Sequence, residues 1–527
     1  MRIKFINSLK NFLNQRIFLS KYERLYIKHN LLKWSKFKNK KYKKRVILVD
    51  LFPWYPFINF WAYIVNFLSN KKKAEIKFFY FNLYQNKASK IKLYIYKLKK
   101  IYNSFNATEG ISEYNFKYSK VDFLRYKKKF QGLNTKSKII KYKNDGIVIG
   151  DLIYDTYLRI TYKPTANITD PEFYQIFCRA EKIFEEVVKY FKKNDVQYVL
   201  PSHVCYISYG IISRIANKLN IPVILIKTEN RANSLFRLMK VNKSYTIGDQ
   251  PYFQYKNIFN RFSSQKKKIS IMIGRKILQK RISGNYDSNL PYMPLSTFNK
   301  RFKLNKINLS KKKKIIIFPH CYFDNPHRFR SMIFNDFYEQ VKYFLDLSIK
   351  LNEYDWYYKP HPNELRSELN VHKLILEKYS NVHYINKSVS HYDIIKLRPE
   401  CIITNHGTIA HEYAAFKIPV INTGDNPHIN YKFCFHAKNI KQLNYIMSNL
   451  KELKKRINFD KKEIYEYLYM HYEYFPKKFN ENIYLKDRYF SSRNIKVNSH
   501  EKLLEQFIKY KNNYDVNIFK YLNNFFK

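Results

Sequence analysis

The chain has 527 residues, enough for two large domains or three small ones, and 45% of them are hydrophobic, enough for real cores. Its five cysteines form no CxxC pair, which argues against a disulfide frame or a zinc ribbon and suits a reducing compartment. The formal charge of +57 accompanies an abundance of Lys, Asn, Ile, Tyr and Phe and a shortage of Gly, so we read most of it as drift toward A/T-rich codons. Such a surface still adheres to anionic partners.

Residues 1–44 form a basic, aromatic arm. Phe5, Leu9, Phe12, Leu13 and Ile17 recur at helical spacing among Lys and Arg. That predicts an amphipathic helix, either docked on the body or lying on an anionic membrane. Asn, Lys and Gln interrupt its apolar positions, so no signal peptide is expected. The most apolar run, 52–69, holds two prolines and two asparagines and follows the strand-like 45–51. It reads as the first helix of a nucleotide-type domain rather than a membrane span.

Residues 45–290 read as a first α/β domain. Strands are predicted at 45–51, 74–81, 146–150, 196–200 and 222–226, with helices at 87–107, 172–191 and 209–219. Alternation of this kind marks a parallel, doubly wound sheet. Ser, Asn, Pro and Lys dominate 283–314, and we place a linker at 291–313. The second domain, 314–455, has predicted strands near 314–318, 355–359, 381–385, 401–404 and 418–422. Its helices fall near 331–351, 365–379, 390–397, 408–416 and 438–449. A helical, polar-aromatic tail, 456–527, is long enough to cross back to the first domain.

Three histidines, His320, His361 and His406, lie just past the ends of predicted strands. In an open parallel sheet those ends line one crevice. The histidines then contact a nucleotide phosphate and a leaving sugar, or bond locally to their loops, or hold a metal. We set the metal reading aside, because no Asp-x-Asp, HxH or HExxH occurs. Leaving-group charge must then be met by N–H groups, helix ends and cations. Lys359, His361 and the turn at Gly407 suit that task. Gly407 is one of ten glycines in the chain and sits at a strand-to-helix turn, with Thr408 and Glu412 in the helix that follows. Asp425-Asn426-Pro427-His428 either touches the donor sugar or is simply a turn.

If the crevice serves transfer to a hydroxyl, a base is needed, and the first domain offers two segments. One runs from Gly150 to Arg159 and carries Asp151 and Asp155, with Asp155 and Arg159 spaced to pair on a helix. The other is Pro201-Ser202-His203 at a strand end. The expected base is Asp155 or Asp151, with His203 close behind. GxGxxG, GxxxxGK[ST] and GxSxG are all absent, so dinucleotide, Walker-type and hydrolase-elbow chemistries are unsupported.

Taken together, Lys359-Pro360-His361-Pro362, His406-Gly407-Thr408 with Glu412, and Asp425-Asn426-Pro427-His428 resemble the donor-binding half of a known group. These are the bacterial capsule and lipopolysaccharide glycosyltransferases of the GT-B type, including the Kdo transferases that build capsule linkers. The segments Phe318 to His327 and Gly150 to Arg159 share the likeness, which runs from about Arg45 to about Leu450. It implies a GT-B fold of two facing Rossmann-like domains. It also implies a nucleotide-activated sugar on the second domain, with Glu412 holding the ribose hydroxyls. A lipid-linked or growing surface glycan would occupy the first domain. No cofactor beyond the donor substrate and no metal are implied, and the place of work is the cytoplasmic face of the plasma membrane. The family's acidic motif is not matched cleanly in the first domain, so the base stays open. The rival expectations are a CDP-alcohol polyol-phosphate transferase on the same frame, a non-hydrolysing sugar-nucleotide epimerase, and a basic nucleic-acid-binding or scaffold protein. A binding protein would gather its cations in one groove, whereas an enzyme would keep a mixed-charge cleft.

Overall fold

A computed structural model of the chain describes residues 19–35, 44–83, 88–230, 235–241, 252–285, 296–299, 311–328, 332–362, 364, 366–456, 459–475, 504–505, 508 and 515–527. The arm positions Phe5, Leu9, Phe12, Leu13 and Ile17, and most of the linker 291–313, lie outside the described residues.

The first half opens with α1 (Lys21–Lys33), β1 (Arg45–Asp50), α2 (Tyr55–Lys72), β2 (Glu75–Tyr80), α3 (Ala88–Asn103) and β3 (Thr108–Ser112). It continues with α4 (Lys120–Gln131), α5 (Gly150–Thr161), α6 (Pro171–Lys193), β4 (Asp195–Leu200) and α7 (Tyr206–Lys218). The strands pair in parallel in the order β3-β2-β1-β4. Side chains alternate between faces, as the twofold strand period requires. Ile47 and Val49 join α2 in one core, and Val46 and Leu48 join α5 and α6 in the other. A sheet covered on both faces explains why RVILV is continuously apolar.

Two expected strands differ from the structure. Ile147–Val148 pairs antiparallel with Lys143–Asn144 in a small hairpin rather than entering the sheet, since a Gly at 146 with φ +73° turns the chain back. The strand after α7, β5 (Ile224–Asn230), forms an antiparallel ribbon with β6 (Leu235–Lys240), touching β4 through one parallel bridge, Val199 to Val223.

α8 (Ser264–Ile282) precedes the second sheet in sequence but packs into that sheet's core, with Leu278 beside Ile316 and Tyr413 in one cluster. The second half is β7 (Lys313–Ile317), α9 (Phe337–Lys350), β8 (Tyr354–Tyr358), α10 (Arg366–Leu376), β9 (Val382–Tyr384), α11 (His391–Lys396), β10 (Cys401–Thr404), α12 (Ile409–Ala414), β11 (Val420–Asn422), β12 (Phe435–His436) and α13 (Ile440–Ser448). All its strands are parallel, in the order β9-β8-β7-β10-β11-β12. Counted within this sheet, that is third-second-first-fourth-fifth-sixth, the doubly wound nucleotide-binding order. Its apolar strands alternate as well: Ile316, Tyr357 and Ile402 face one core, while Ile315, Ile317, Trp356 and Ile403 face the other.

α14 (Lys461–Tyr469) lies against α8, and α15 (Asp515–Phe525) lies against α2 of the first half. Lys71 Nζ donates to the Phe526 carbonyl at 2.8 Å, and the Leu238 N–H donates to the Tyr521 hydroxyl at 2.8 Å. The end of the chain is thereby fixed to the first sheet's side. Among the described residues no helix is long and apolar enough to cross a membrane.

Candidate active site

Each sheet has one point where the winding direction reverses: between β1 and β4 in the first, and between β7 and β10 in the second. Neighbouring loops leave such a point in opposite directions and open a crevice at the strands' carboxyl ends. The two crevices meet. His327, in the loop after β7, bonds through Nδ1 to Asp155 Oδ1 on α5 at 2.6 Å. Phe52, just past β1, and His203, just past β4, have ring centroids 5.4 Å apart. Arg328 and Asp324 of the β7 loop act electrostatically on that same His203.

On the second sheet's side, three of the predicted histidines come together. The His320 ring lies 4.6 Å from His406 and 5.5 Å from His361, centroid to centroid, with Phe337 at 4.7 Å. Strand order explains this, since their strands β7, β8 and β10 are adjacent. His320 Nδ1 accepts the Cys321 backbone N–H at 3.0 Å, which leaves the hydrogen of a neutral ring on Nε2. Crowding drives the pKa of all three down, His361 to about 3. They are neutral at physiological pH, so His361 can meet phosphate charge as an N–H group and not as a cation.

Nor does Lys359 reach the crevice as a free cation. It is 1% exposed, and its Nζ donates to the Lys387 carbonyl at 2.9 Å. Burial lowers its pKa to about 8, against the pull of Glu364. Arg328, exposed in the β7 loop, and Arg159, on α5, are the cations that act on this crevice. Asp324 stands among them. Burial alone would raise its carboxyl, but His320 and Arg328 overcome that and lower it.

Glu412 is buried on α12, with Arg281 of α8 at 3.7 Å and His391 at 4.0 Å. Arg281 also meets His411 Nε2 at 2.9 Å and the Tyr472 hydroxyl at 3.1 Å. Glu412 therefore belongs to a buried polar network under the histidine edge. His428 is 1% exposed and packs among His411, Phe433, His436 and Tyr467. Its N–H donates to Asn426 Oδ1 at 3.1 Å, within the turn this segment forms. Asp425 is half-buried beside it. The helix after Gly407 is shorter than expected, only Ile409–Ala414, with Thr408 at its cap but making no side-chain cap bond.

On the first sheet's side, Asp151 is clamped by both nitrogens of Arg214, at 2.5 and 2.6 Å. A carboxylate held by a two-pronged guanidinium is a poor proton acceptor, so Asp151 is not placed as a base. Asp155 pairs with His327 rather than with Arg159. Burial raises its carboxyl to about 6, and His327 opposes the rise. Only His203 of the three candidates is exposed, and crowding plus Arg328 and Arg159 keep it neutral by lowering its pKa. Sequence alone did not single out Asp50, Asp336, Arg281 or His391. For Asp50, Asp336 and Arg281 the partner lies more than 70 positions away, and His391 meets Glu412 of another helix, which no local pattern reveals.

No group of three His, Cys, Asp or Glu among the described residues is arranged to hold a metal ion. A cavity of about 340 Å³ lined by Lys256, Phe259, Glu463 and Glu466 shares no residue with the crevice and is not this site.

No protein-family model matches the chain, and no curated protein matches it. Solved structures that align with it include the β-Kdo 2,4 transferase KpsC of Thermosulfurimonas dismutans. That pair is 12% identical, covering 52% of this chain and 79% of the other, with a TM-score of 0.33. A UDP-GlcNAc 2-epimerase from Neisseria meningitidis, bound to UDP-GlcNAc, is 14% identical over 80% of this chain and 95% of its own, with a TM-score of 0.24. The wall teichoic acid polymerase TagF is 10% identical over 88% and 98%, with a TM-score of 0.22. Scores this low leave the functional argument to the chain's own geometry.

Proposed function

We propose that the protein is a GT-B-type glycosyltransferase that moves a sugar from a nucleotide-activated donor to a surface-glycan acceptor. The observation that carries this reading is the meeting of two switch-point crevices, one lined by the His320, His361 and His406 cluster and the other by His203. The second crevice has the strand order suited to a nucleotide, and neutral imidazole N–H groups with Arg328 suit its phosphates. The motif pattern around Lys359, His406 and Glu412 supports the same assignment. Mixed charge in the crevice, Asp155 and Asp324 among Arg159 and Arg328, favours an enzyme over a nucleic-acid groove.

In the reaction the acceptor oxygen attacks the anomeric carbon while the bond from that carbon to the phosphate oxygen breaks. The nucleotide leaves with the electron pair, and the acceptor proton passes to His203 Nε2. Asp155, tied to His327, holds α5 against the β7 loop. No divalent metal takes part in this scheme, and the membrane carries the acceptor to an enzyme held at its inner face by cationic surface.

The test is nucleotide release from a panel of CMP-, UDP- and GDP-sugars with lipid-linked and oligosaccharide acceptors, run with and without excess EDTA. Acceptor-dependent release that persists in EDTA and is lost in His203→Gln is expected. Release restored only by Mg²⁺ or Mn²⁺ would overturn the metal-free scheme, and full activity of His203→Gln would remove His203 as base.

A further inference from the structure

At the switch point of the first sheet, three side chains form one hydrogen-bonded line. Asp50 ends β1 and is 3% exposed; Ser202 follows β4 and is 5% exposed. The Ser202 hydroxyl donates to Asp50 Oδ2, and the Ser202 backbone N–H reaches the same oxygen at 3.1 Å. His203 Nδ1 lies 2.9 Å from that hydroxyl oxygen. Beyond Ser202 stands the exposed imidazole, packed by the rings of Phe52 at 5.4 Å and Tyr209 at 5.3 Å.

Proton counting fixes the direction of this line. An ionised carboxylate only accepts, so the single hydroxyl hydrogen of Ser202 goes to Asp50. Ser202 Oγ can then only accept from its other neighbour, and Nδ1 must carry a hydrogen. The lone pair of a neutral ring is left on Nε2, at the far side of the ring from the sheet.

We propose that Asp50 and Ser202 are positioning residues that hold His203 in the Nδ1–H tautomer and so present Nε2 to the crevice as a proton acceptor. This rests on the reading of His203 as base. When the acceptor hydroxyl gives its proton to Nε2, Nδ1–H stays bonded to Ser202, and the charge of the imidazolium is met through that hydroxyl by the Asp50 carboxylate. Ser202 moves no further proton, so the line orients the ring rather than relaying charge. Leu at 50 takes the acceptor away: the Ser202 hydroxyl is then free to donate to Nδ1, and Nε2 becomes the N–H.

Diethyl pyrocarbonate acylates only an imidazole nitrogen bearing a lone pair, and peptide mass mapping reads His203 by itself, with no substrate needed. At about pH 8 the wild-type protein should be modified at His203 rapidly. Asp50→Leu should slow that by about tenfold or more, as a wrong tautomer does. Ser202→Ala should slow it severalfold, and Ser202→Thr, which keeps the hydroxyl, should restore the wild-type rate. Wild-type rates in both Asp50→Leu and Ser202→Ala, with melting temperatures unchanged, would overturn the proposal and leave the bond as a tie between β1 and β4. Where Asp50→Leu does not fold, the Ala and Thr variants at Ser202 decide alone. The proposal and the base assignment fail separately: transfer by His203→Gln sinks the base while the modification rates still report the tautomer.

Discussion

Asp50 gives the tautomer a pH dependence that can be signed. Burial raises its carboxyl from 3.8 to about 7, against the hydrogen bonds from Ser202. Below that value the group is neutral and accepts the Ser202 hydroxyl less strongly, so its hold on the tautomer weakens. The charges acting on His203 are Arg159 on α5 and Arg328 and Asp324 in the β7 loop; crowding and the two cations lower its pKa to about 4, so the ring is neutral over the range in question. Wild-type modification of His203 should therefore rise between about pH 6 and pH 8, whereas Asp50→Leu should be flat. The same shift acts on stability. A raised folded-state pKa contributes stability that is full below the unfolded value and lost as pH rises through the folded one. Wild-type stability measured by urea should fall relative to Asp50→Asn between about pH 4 and pH 7. Arg281 and Glu412 offer a second residue-level test. Removing one partner of a buried ion pair strands the other, so Arg281→Met should lower unfolding stability by about 3 to 5 kcal/mol. The three histidines at strand ends were legible because sheet topology alone places them. Their neutrality was not, since it comes from crowding that only packing creates.

The second half shows how much of an element periodicity carries. β10, at Cys401–Thr404, stands where its apolar run predicted, and the other apolar runs fall within about two residues of their strands. β3, Thr108–Ser112, was missed because its TEGIS sequence is short and polar and gains its pairing from β2. β12 was missed for a similar reason, being two residues long and ordered by Asn422 and Ile421 of β11. α8 looked like the end of the first domain, and its place in the second core is set by a close approach that sequence does not print. A Cβ on Gly274 would sit 2.0 Å from the Tyr465 carbonyl oxygen of α14. Gly274→Ala should push α8 off α14 and cost about 1 to 3 kcal/mol in the same urea titration. Unchanged stability there would mean that the two helices slide freely.

Among the described residues, buried and half-buried polar contacts join the two halves. Asp336, fully buried at the start of α9, accepts from the Tyr154 and Thr165 hydroxyls at 2.5 Å each. Lys136 Nζ reaches Glu339 at 2.6 Å. Losing Tyr154's hydroxyl and Lys136's charge leaves Asp336 less satisfied, so Tyr154→Phe with Lys136→Met should loosen the junction. A larger radius of gyration in solution scattering is expected; an unchanged one would show that the remaining contacts, Asp155 with His327 among them, suffice to hold the halves. The central claim is that the crevice edge of the second sheet binds the donor nucleotide. The most direct measurement is the melting temperature with CMP, CDP, UDP and GDP, compared between wild type and His406→Ala. A ligand that binds only the folded state at about a hundredfold its dissociation constant stabilises it by roughly 2.7 kcal/mol. One nucleotide should raise the wild-type melting temperature by a few degrees and leave His406→Ala unmoved. No rise with any of the four, or an equal rise in both proteins, would contradict the donor site.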